Sequence, residues 1–262
     1  MENLSISVIT ICFNNLKEVI NTCTSVDKQL DMPFEHIIVD GSNNSEIADY
    51  LANNPQPKYR KWLSEKDKGI ADAFNKGIKR ALGNVLVMLN SGDEFYDENV
   101  LSVVKQAFKN NPEIKWLHGK YKIYRGGKWV IIGKPFESTK VYRGMRSLCH
   151  QTMFVRKELH DKYGLYSLDF KIAMDYDFVV RIAFEKMFFI DTPLVVFEPE
   201  GTSSTNYLAG LREAKKVYQL HLGMSWKLFL WQIRLKVLYY ILNSPIGKTL
   251  YAIKVWLKLE NL

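Results

Sequence analysis

Strand-like and helix-like segments alternate four times between residues 4 and 111, and this alternation restricts the possible folds more than any other feature of the chain. The strand-like runs cover residues 4–13, 34–42, 59–65 and 84–90. After each run, apolar residues recur with a helical period. Strands followed by helices in this way are typical of a parallel sheet with helices on both faces. The sequence therefore predicts an α/β fold for this part of the chain.

The pattern changes after residue 111. Residues 115–136 alternate in polarity and turn at Arg-Gly-Gly, which predicts an antiparallel hairpin. A short strand then enters a helix over residues 149–159, and a second helix covers residues 174–186. We expect the strand-like run over residues 188–198 to close the sheet.

The last part of the chain has helical spacing from residue 206, with a break near residues 243–245. We therefore predict a domain over residues 1–204, divided into halves at 1–111 and 112–204. A helical C-terminal extension is predicted over residues 205–262.

Polar residues gather at the ends of three predicted strands, namely Asn14, Asp40 and the segment Asn90–Glu94. In parallel sheets, ligands bind beyond the carboxyl ends of the strands. Asp93 and Glu94 follow a run that has the composition of a fully buried strand. Two explanations account for such a pair: a turn that uses small and acidic residues, or a metal site.

Composition narrows the class of protein. The chain has 262 residues, 47% of them apolar and 24% charged, which is typical of a globular protein with ample material for a core. Its net charge of +8 suits nucleic acid, an anionic membrane surface or a phosphorylated ligand. Because no nucleic-acid-binding motif is present and the basic residues concentrate in the tail, we exclude nucleic acid as a partner.

The sequence also predicts a cytoplasmic location. The three cysteines, Cys12, Cys23 and Cys149, show no paired spacing and are expected to be buried free thiols in a reducing compartment. The N-terminus lacks the basic and apolar regions of a signal peptide. No uncharged apolar run is long enough for a spanning helix.

Five segments together resemble the family 2 glycosyltransferases of the GT-A fold. They read SVITICFNN, IIVDGSNN, SEKDKGIADAFNKGIKRALGNVLVMLNSGDEF, CHQTMFVRK and AMDYDFVVRIA, and they occur in the family's order over roughly residues 4–200. The resemblance implies a Rossmann-like, mostly parallel sheet flanked by helices. It also implies that residues 1–111 bind a nucleotide-sugar and residues 112–204 bind the acceptor.

Within this family, the chain resembles bacterial transferases that build capsular, exopolysaccharide or O-antigen repeat units. The resemblance implies an inverting hexosyl- or N-acetylhexosaminyltransferase that moves a sugar from a nucleotide-sugar to a lipid-linked oligosaccharide. A UDP-sugar is expected because UDP is the commonest donor nucleotide in the family. The QxxRW signature of the processive members is absent from the sequence, so we expect one sugar per encounter. The alternative is a catalytically inactive homologue that binds a sugar or nucleotide as a partner subunit.

The resemblance implies a divalent metal, Mn²⁺ or Mg²⁺, that offsets the charge of the donor's diphosphate. Asp93 matches the metal-binding aspartate of the family's DxD-like motif, and His150 is a further candidate ligand. Asn90 and Gly92 stand where relatives often carry acids. Fewer carboxylates predict a weaker or more substrate-dependent metal site.

The resemblance assigns a larger set of residues to the nucleotide-sugar. Asp40 matches the position that hydrogen-bonds the base or ribose, and its alternative role is an Asp-Gly turn. Asp67 precedes a predicted helix over residues 68–82, where its side chain could also act as a cap. The complete set is Phe13, Asn14, Asp40, Asp67, Lys68, Gly69, Asp72, Asn90 and Ser91.

Catalysis by direct displacement requires a base that takes the proton of the acceptor hydroxyl. Asp175 matches the family's catalytic aspartate, with Asp177 as the reserve candidate because Met174 replaces the first acid of the usual pair. The resemblance assigns His150 and Gln151 to contacts with the acceptor or the diphosphate. Two further residues, Arg143 and Arg146, lie on a predicted loop where their guanidinium groups could bind phosphate or remain on the surface.

The tail from residue 225 to residue 262 carries six Lys or Arg residues and one acid, together with aromatic residues at helical spacing. Amphipathic, basic and aromatic helices suit an anionic membrane surface. This fits an acceptor built on a polyprenyl diphosphate and a peripheral location at the inner face of the cell membrane. The competing interpretation is that these helices pack on the catalytic domain or on a second subunit, as in a homodimer.

Overall fold

The computed structural model describes residues 4–125, 127–146, 148–197 and 206–244, with Gly247 and Thr249. Its strands are β1 (Ile6–Cys12), β2 (Glu35–Asp40), β3 (Arg60–Ser64), β4 (Val85–Met88), β5 (Glu94–Phe95), β6 (Trp116–Arg125), β7 (Lys128–Ile132), β8 (Phe154–Arg156) and β9 (Met187–Phe197). Its helices are α1 (Leu16–Asp27), α2 (Glu46–Asn53), α3 (Ile70–Arg80), α4 (Val100–Asn110), α5 (Lys157–Tyr163), α6 (Met174–Ile182), α7 (Tyr207–Leu222) and α8 (Trp226–Asn243). Two 3₁₀ turns cover Ser138–Arg143 and His150–Thr152.

The described strands form one sheet in the order β3-β2-β1-β4-β8-β6-β9-β5, with β7 paired to β6. Strands β1 to β4 pair in parallel, whereas β8 runs antiparallel to both β4 and β6. Strand β9 is parallel to β6 and antiparallel to β5. The prediction of an α/β fold with a mostly parallel sheet flanked by helices is confirmed, and β9 joins the sheet as expected.

Burial on both faces explains why the central strands are apolar at successive positions. On β1, neighbouring residues Val8 and Ile9 have no exposed surface and belong to different core clusters. Ile9 packs with Phe74 of α3 on one side of the sheet, and Val8 packs with Leu101 of α4 on the other. Polar side chains inside these strands are buried with hydrogen-bond partners, as where the Thr10 hydroxyl donates to the Leu89 carbonyl at 2.7 Å. Further polar residues of this region lie at the strand ends.

The C-terminal helical region breaks where the sequence did not predict it. Helix α7 ends at Leu222, Gly223 adopts a left-handed φ of 74°, and α8 begins at Trp226. The Ser225 hydroxyl accepts a hydrogen bond from the Leu228 N–H at 3.4 Å and caps the new helix. A glycine and a capping serine therefore mark the break. The further helix predicted after the break near residue 245 lies outside the described residues, apart from Gly247 and Thr249.

The thiol prediction is confirmed in part, because Cys12, Cys23 and Cys149 are buried and free. Burial raises the pKa of Cys23 to about 11, so this thiol stays protonated at neutral pH. Across the described ranges, no helix combines the length and apolar character that crossing a membrane requires.

Helix α3 packs closely on the sheet through Gly77, since a Cβ at this position would lie 2.4 Å from Ile9 Cγ2. Gly77→Val should therefore overpack the core and lower the free energy of unfolding by about 2 kcal/mol. The matched control is Lys79→Val, which introduces the same residue at an exposed site of the helix and should cost less than about 1 kcal/mol. Urea unfolding measures both values. Equal losses would show that helix propensity, and not this contact, accounts for the effect.

Candidate active site

A cavity of about 1160 Å³ lies beyond the end of β4 and is walled by both halves of the chain. The turn Asn90–Glu94, the 3₁₀ turn that begins at His150 and the start of α6 form one part of the wall. Residues from α7 and α8 form another part. A cleft at the carboxyl end of a parallel strand is where α/β folds bind ligands.

Asp93 lies at the base of this cavity and is only 3% exposed. Its Oδ2 accepts a hydrogen bond from Gln151 Nε2 at 2.9 Å, while the Cys149 thiol donates to Gln151 Oε1 at 2.9 Å. The Thr22 hydroxyl of α1 donates to the Asp93 carbonyl at 2.8 Å. A buried carboxylate requires such donors because desolvation penalises its charge. Side chains from distant parts of the chain thus fix Asp93 in place.

Asn90, His150 and Asp175 form a continuous line of polar groups in the cavity. The Asn90 amide Nδ2 lies 3.3 Å from His150 Nε2, and His150 Nδ1 lies 3.6 Å from Asp175 Oδ2. Burial lowers the pKa of His150 to about 4, so the imidazole is neutral at physiological pH. With the amide donating to Nε2, the neutral ring carries its proton on Nδ1, facing Asp175.

Asp175 lies in the first turn of α6 and lines the cavity. Its Oδ1 accepts a hydrogen bond from the Tyr176 N–H at 2.7 Å. Burial raises the pKa of Asp175 to about 6, against the opposing effect of this backbone hydrogen bond. A carboxylate whose pKa is close to neutrality is suited to accept and release a proton at physiological pH.

Asp177, the reserve candidate for the base, binds Arg181 and His221 away from the cavity. Asp177 is 2% exposed, and its oxygens bind Arg181 Nη2 at 2.8 Å and His221 Nε2 at 2.7 Å. Two residues along a helix turn a side chain to nearly the opposite face. Asp177 therefore joins α6 to α7 and does not line the cavity.

Glu213 of α7 holds the segment that leads into α6. Its Oε2 accepts hydrogen bonds from the backbone N–H groups of Ile172 at 2.8 Å and Ala173 at 2.9 Å. Its Oε1 accepts one from the Lys171 N–H at 3.3 Å. A carboxylate at a helix N-terminus satisfies orphan donors and interacts favourably with the helix dipole. Glu213 therefore positions the turn that carries Asp175, a role that no local sequence signal reveals.

Residues assigned to the nucleotide lie in a second group, at the ends of β1 and β2. Asn14 adopts a left-handed φ of 53°, and its N–H donates to the Ser42 hydroxyl at 2.8 Å. Asp40 has no exposed surface, and its oxygens accept from the Ser42 N–H and the Ser64 hydroxyl, each at 2.9 Å. Asp40 shapes this loop and offers no surface for direct contact with a nucleotide, whereas Phe13 is 59% exposed.

The loop before α3 belongs to the same group, and the helix begins at Ile70, two residues later than predicted. Asp67 does not cap the helix, because Gly69 is the N-cap residue and no side chain caps it. Asp67 Oδ1 accepts from the Gly69 N–H at 2.8 Å and closes a turn in the loop before the helix. Asp72 Oδ2 accepts from the Lys68 N–H at 3.0 Å. The Asp67 side chain packs directly over Gly41, since a Cβ there would lie 1.9 Å from Asp67 Oδ2 and would displace this side chain.

Asn15, which sequence reasoning did not select, connects the two groups. Its Oδ1 accepts from the Phe13 N–H at 3.1 Å, and its Nδ2 donates to the Ser91 hydroxyl at 2.7 Å. The structure therefore places the predicted residues in two sets. The set on the cavity wall is Asn90, Ser91, Asp93, Arg143, Arg146, His150, Gln151 and Asp175, and the set outside it is Phe13, Asn14, Asp40, Asp67, Lys68, Gly69 and Asp72.

The carboxylates that line this cavity, those of Glu18, Asp93, Glu94 and Asp175, do not converge on one point. No cluster of three or more His, Cys, Asp or Glu side chains suited to a metal occurs in the described part of the chain. Asp93 supplies one carboxylate, and the buried Asn90 Oδ1 has no hydrogen-bond partner. Mg²⁺ is commonly held by one or two carboxylates together with substrate phosphates and water. The residues present therefore fit a cation that binds together with a diphosphate.

The C-terminal helices also contribute to the cavity, in line with the competing interpretation of the tail, in which these helices pack on the catalytic domain. Tyr207 of α7 and Trp231 of α8 line the cavity. Basic residues on other elements, Lys17, Arg125 and Lys171, line it as well. Their positions in the sequence carry no motif, because only the packing of distant elements brings them together.

Removing the carboxylate of Glu213 should loosen the entry to α6. In Glu213→Gln, the backbone amides of Ile172 and Ala173 lose a charged acceptor, so their hydrogen exchange should accelerate about tenfold. Lys216→Gln, an exposed change on the same helix, should leave these amides unaffected. Exchange measured by mass spectrometry on the peptide that contains both amides tests this. Unchanged protection in Glu213→Gln would contradict the positioning role.

Comparisons with known proteins identify a family and several relatives. The model of the family described as Glycosyl transferase family 2 matches residues 7–164. An uncharacterized glycosyltransferase of Mycobacterium tuberculosis is 35% identical over 181 residues, which are 68% of this chain and 69% of that protein. The PGL/p-HBAD biosynthesis glycosyltransferase of Mycobacterium bovis is 28% identical over 172 residues, which are 64% of this chain and 65% of that protein.

Two solved structures share the fold at low sequence identity. Staphylococcus aureus TarS 1-349 in complex with UDP-GlcNAc superposes with a TM-score of 0.63 at 18% identity, over 92% of this chain and 68% of that chain. The mannosyltransferase PcManGT of Pyrobaculum calidifontis, in complex with GDP-Man and Mn²⁺, gives a TM-score of 0.61 at 15% identity, over 98% and 81%. The chain spans about two thirds of the length of TarS 1-349 and of the mycobacterial relatives. The fold is that of the GT-A glycosyltransferases, and because the family model covers more than half of the sequence, this chain belongs to glycosyltransferase family 2.

Proposed function

We propose that the protein is an inverting, non-processive glycosyltransferase that moves one hexosyl or N-acetylhexosaminyl group from a nucleotide-sugar to an acceptor hydroxyl. The observation that carries this proposal is Asp175, a cavity carboxylate whose pKa burial raises to about 6. It shares the cavity with the turn that carries Asn90 and Asp93. A base and a diphosphate-binding turn in one cleft are what direct displacement at a sugar requires.

Asp175 Oδ2 is the atom that takes the proton of the acceptor hydroxyl, because Oδ1 is engaged by the Tyr176 N–H. The proton on His150 Nδ1 faces Oδ2 and stabilises the ionised carboxylate. Asn90 orients the imidazole from its other nitrogen. Attack by the deprotonated oxygen from the face opposite the leaving nucleotide inverts the anomeric carbon.

A divalent cation, Mn²⁺ or Mg²⁺, would be held by Asp93 and by Asn90 Oδ1, beside the donor's diphosphate. The cation supplies positive charge against the phosphate oxygens. Gln151 keeps one oxygen of Asp93 hydrogen-bonded and thereby orients the carboxylate. His150 faces the base and is assigned to it in this proposal, with no part in holding the metal.

A UDP-sugar remains our choice of donor. TarS has a structure with UDP-GlcNAc, whereas PcManGT has one with GDP-Man, so the fold accommodates either nucleotide. Phe13 and Asn14 would line the base pocket, and Asp67, Lys68, Gly69 and Asp72 would contact the remainder of the donor.

The proposed acceptor is a saccharide linked to a polyprenyl diphosphate, used in bacterial surface polysaccharide synthesis such as that of capsule or O-antigen. The protein would then act as a peripheral protein at the cytoplasmic face of the cell membrane. Support comes from the basic, aromatic tail and from the relative named for PGL/p-HBAD biosynthesis. A homodimer through the C-terminal helices is the competing use of the tail.

The second candidate is an inactive homologue that binds a nucleotide or sugar as a partner subunit. The observation that favours it is that Asn90, Gly92 and Met174 stand where relatives often carry acidic residues. Turnover separates the two candidates, since binding alone is common to both.

Donor turnover is the direct test. With Mn²⁺ or Mg²⁺ and a panel of UDP-, GDP- and dTDP-sugars, we expect thermal stabilisation by one nucleotide class and slow hydrolysis of its sugar. Asp175→Asn should lower transfer at least about a thousandfold, because it removes the base, while the dissociation constant of the donor stays within about twofold. Glu185→Asn is the matched control, since it replaces an acid outside the cavity.

No turnover of any donor, with or without a lipid acceptor, would overturn the enzyme proposal in favour of the inactive homologue. Near-normal turnover in Asp175→Asn would place the base elsewhere.

The raised pKa of Asp175 predicts an acid limb in the rate profile. Because the base must be ionised, kcat/KM should fall about tenfold per pH unit below pH 6 and level off above it. The pKa of His150 is near 4, so this residue stays neutral across the limb. Rates measured from about pH 4.5 to about pH 8 test the assignment. A profile without a limb near pH 6 would contradict it.

A further inference from the structure

Three arginines surround one tryptophan at the edge of the cavity. The guanidinium carbons of Arg143 and Arg146 each lie 5.4 Å from the Trp231 ring centroid, and that of Arg234 lies 5.2 Å away. Arg143 and Arg146 come from the segment around the first 3₁₀ turn, whereas Arg234 and Trp231 belong to α8. Tyr142 packs edge-on against the same indole at 6.3 Å. Two elements far apart in sequence therefore build one cationic cluster.

Trp231 is the buried centre of this cluster. It is 8% exposed and lines the cavity, and its indole Nε1 has no hydrogen-bond partner. A buried N–H without an acceptor is costly, so an acceptor is expected to bind there. The indole N–H and the guanidinium groups are all hydrogen-bond donors.

The cluster lacks internal compensation for its charge. Within the described residues, Arg143, Arg146 and Arg234 form no ion pair with a carboxylate. Three like charges around one ring repel each other, and the aromatic face offsets only part of that repulsion. Guanidinium groups bind phosphate oxygens in bidentate fashion. A group with two or more phosphate oxygens is therefore the ligand that the cluster fits.

The outer face of α8 shows where such a ligand would come from. Eight large apolar residues of this helix are each 43 to 70% exposed. Leu242 lies apart from the others, and the remaining seven are Trp226, Phe229, Leu230, Ile233, Val237, Tyr240 and Ile241. With about 100° between successive residues, all seven fall within about a third of the helix circumference. The opposite side carries Leu228, Trp231 and Gln232, which are buried against the protein. Helix α8 therefore has two apolar faces, where the sequence predicted a simple amphipathic helix.

Charge lies along the borders of this outer face. Lys227 and Arg234 fall on one border and Lys236 on the other, and α8 contains no Asp or Glu. Cations that flank an aromatic, apolar face are typical of helices that lie in the interface of an anionic membrane. A two-fold contact between two copies would bring these cations together, which disfavours a second chain as the occupant.

We propose that Arg143, Arg146, Arg234 and the Trp231 N–H form a binding site for the phosphate headgroup of a membrane lipid, with the outer face of α8 immersed in the membrane. The inference rests on the proposed function and extends it, because it assigns the anchor of the acceptor to particular residues. Helix α8 contacts lipid on one side and the cavity on the other, so the headgroup would be bound at the cavity edge. This site is separate from the turn at Asn90–Asp93 that faces the donor diphosphate.

Vesicle flotation tests the site with the full chain and without any donor. Phosphatidylcholine vesicles, plain or doped with a small fraction of polyprenyl phosphate, keep the surface potential low. We expect the dopant to raise wild-type binding about tenfold, and Arg143→Gln/Arg146→Gln to remove that gain. The matched control, Lys227→Gln/Lys236→Gln, also removes two positive charges, but from outside the cluster. This variant should keep most of the gain in binding. Phe229→Ser/Ile233→Ser/Val237→Ser should lose binding to both kinds of vesicle.

Several outcomes would overturn the proposal. Equal losses in the arginine and lysine pairs would show attraction by net charge alone. Saturation of the arginine cluster by inorganic pyrophosphate, with no vesicle binding, would assign it to a soluble phosphate. If the serine triple variant abolishes self-association in sedimentation and leaves vesicle binding unchanged, the outer face joins two copies. Thermal unfolding confirms that each variant is folded.

The vesicle assay and the donor assay test different proposals, so a negative result in one does not affect the other. Donor turnover by wild type without vesicle binding would remove only the lipid site. Vesicle binding without turnover of any donor would remove only the enzyme proposal.

Discussion

The hydrogen bond between Asp93 and Gln151 is the contact on which the arrangement of the cavity depends. Asp93 ends the parallel half of the sheet, and Gln151 lies in the turn before β8, which begins the mixed half. A carboxylate that is 3% exposed is stable only with donors, so the two halves must meet there. Once they meet, His150 lies between Asn90 and Asp175, and the strand end faces the first turn of α6.

The C-terminal helices complete the cavity and position its base. Glu213 of α7 binds the backbone that leads into α6. In the same interface, Asp177 of α6 pairs with His221 of α7. Helix α8 contributes Trp231 to the wall. The carboxylate proposed as base therefore depends on residues outside the segment that the family model matches, which ends at residue 164.

Much of the fold followed from hydrophobic pattern, because strands buried on both faces are apolar at most positions, whereas helices packed on one face are apolar only on that face. The residues of the cavity could be predicted only in part from the sequence. Asp93, His150, Gln151 and Asp175 line one cavity, whereas Asp40 is enclosed by its own loop. Side-chain contacts such as those of Ser42 and Ser64 decide burial at a strand end, and no periodicity encodes them.

The amino-acid sequence by itself determined the order of strands and helices, the displacement of polar groups to strand ends and the identity of the central acids. Only the tertiary structure decided which of two acids on α6 lines the cavity, since Arg181 and His221 bind one of them. It also decided that the tail belongs to the cavity and that Trp231 gathers three arginines. The physical reason is that local pattern records the burial of each segment, whereas contacts between distant segments arise only when the chain packs.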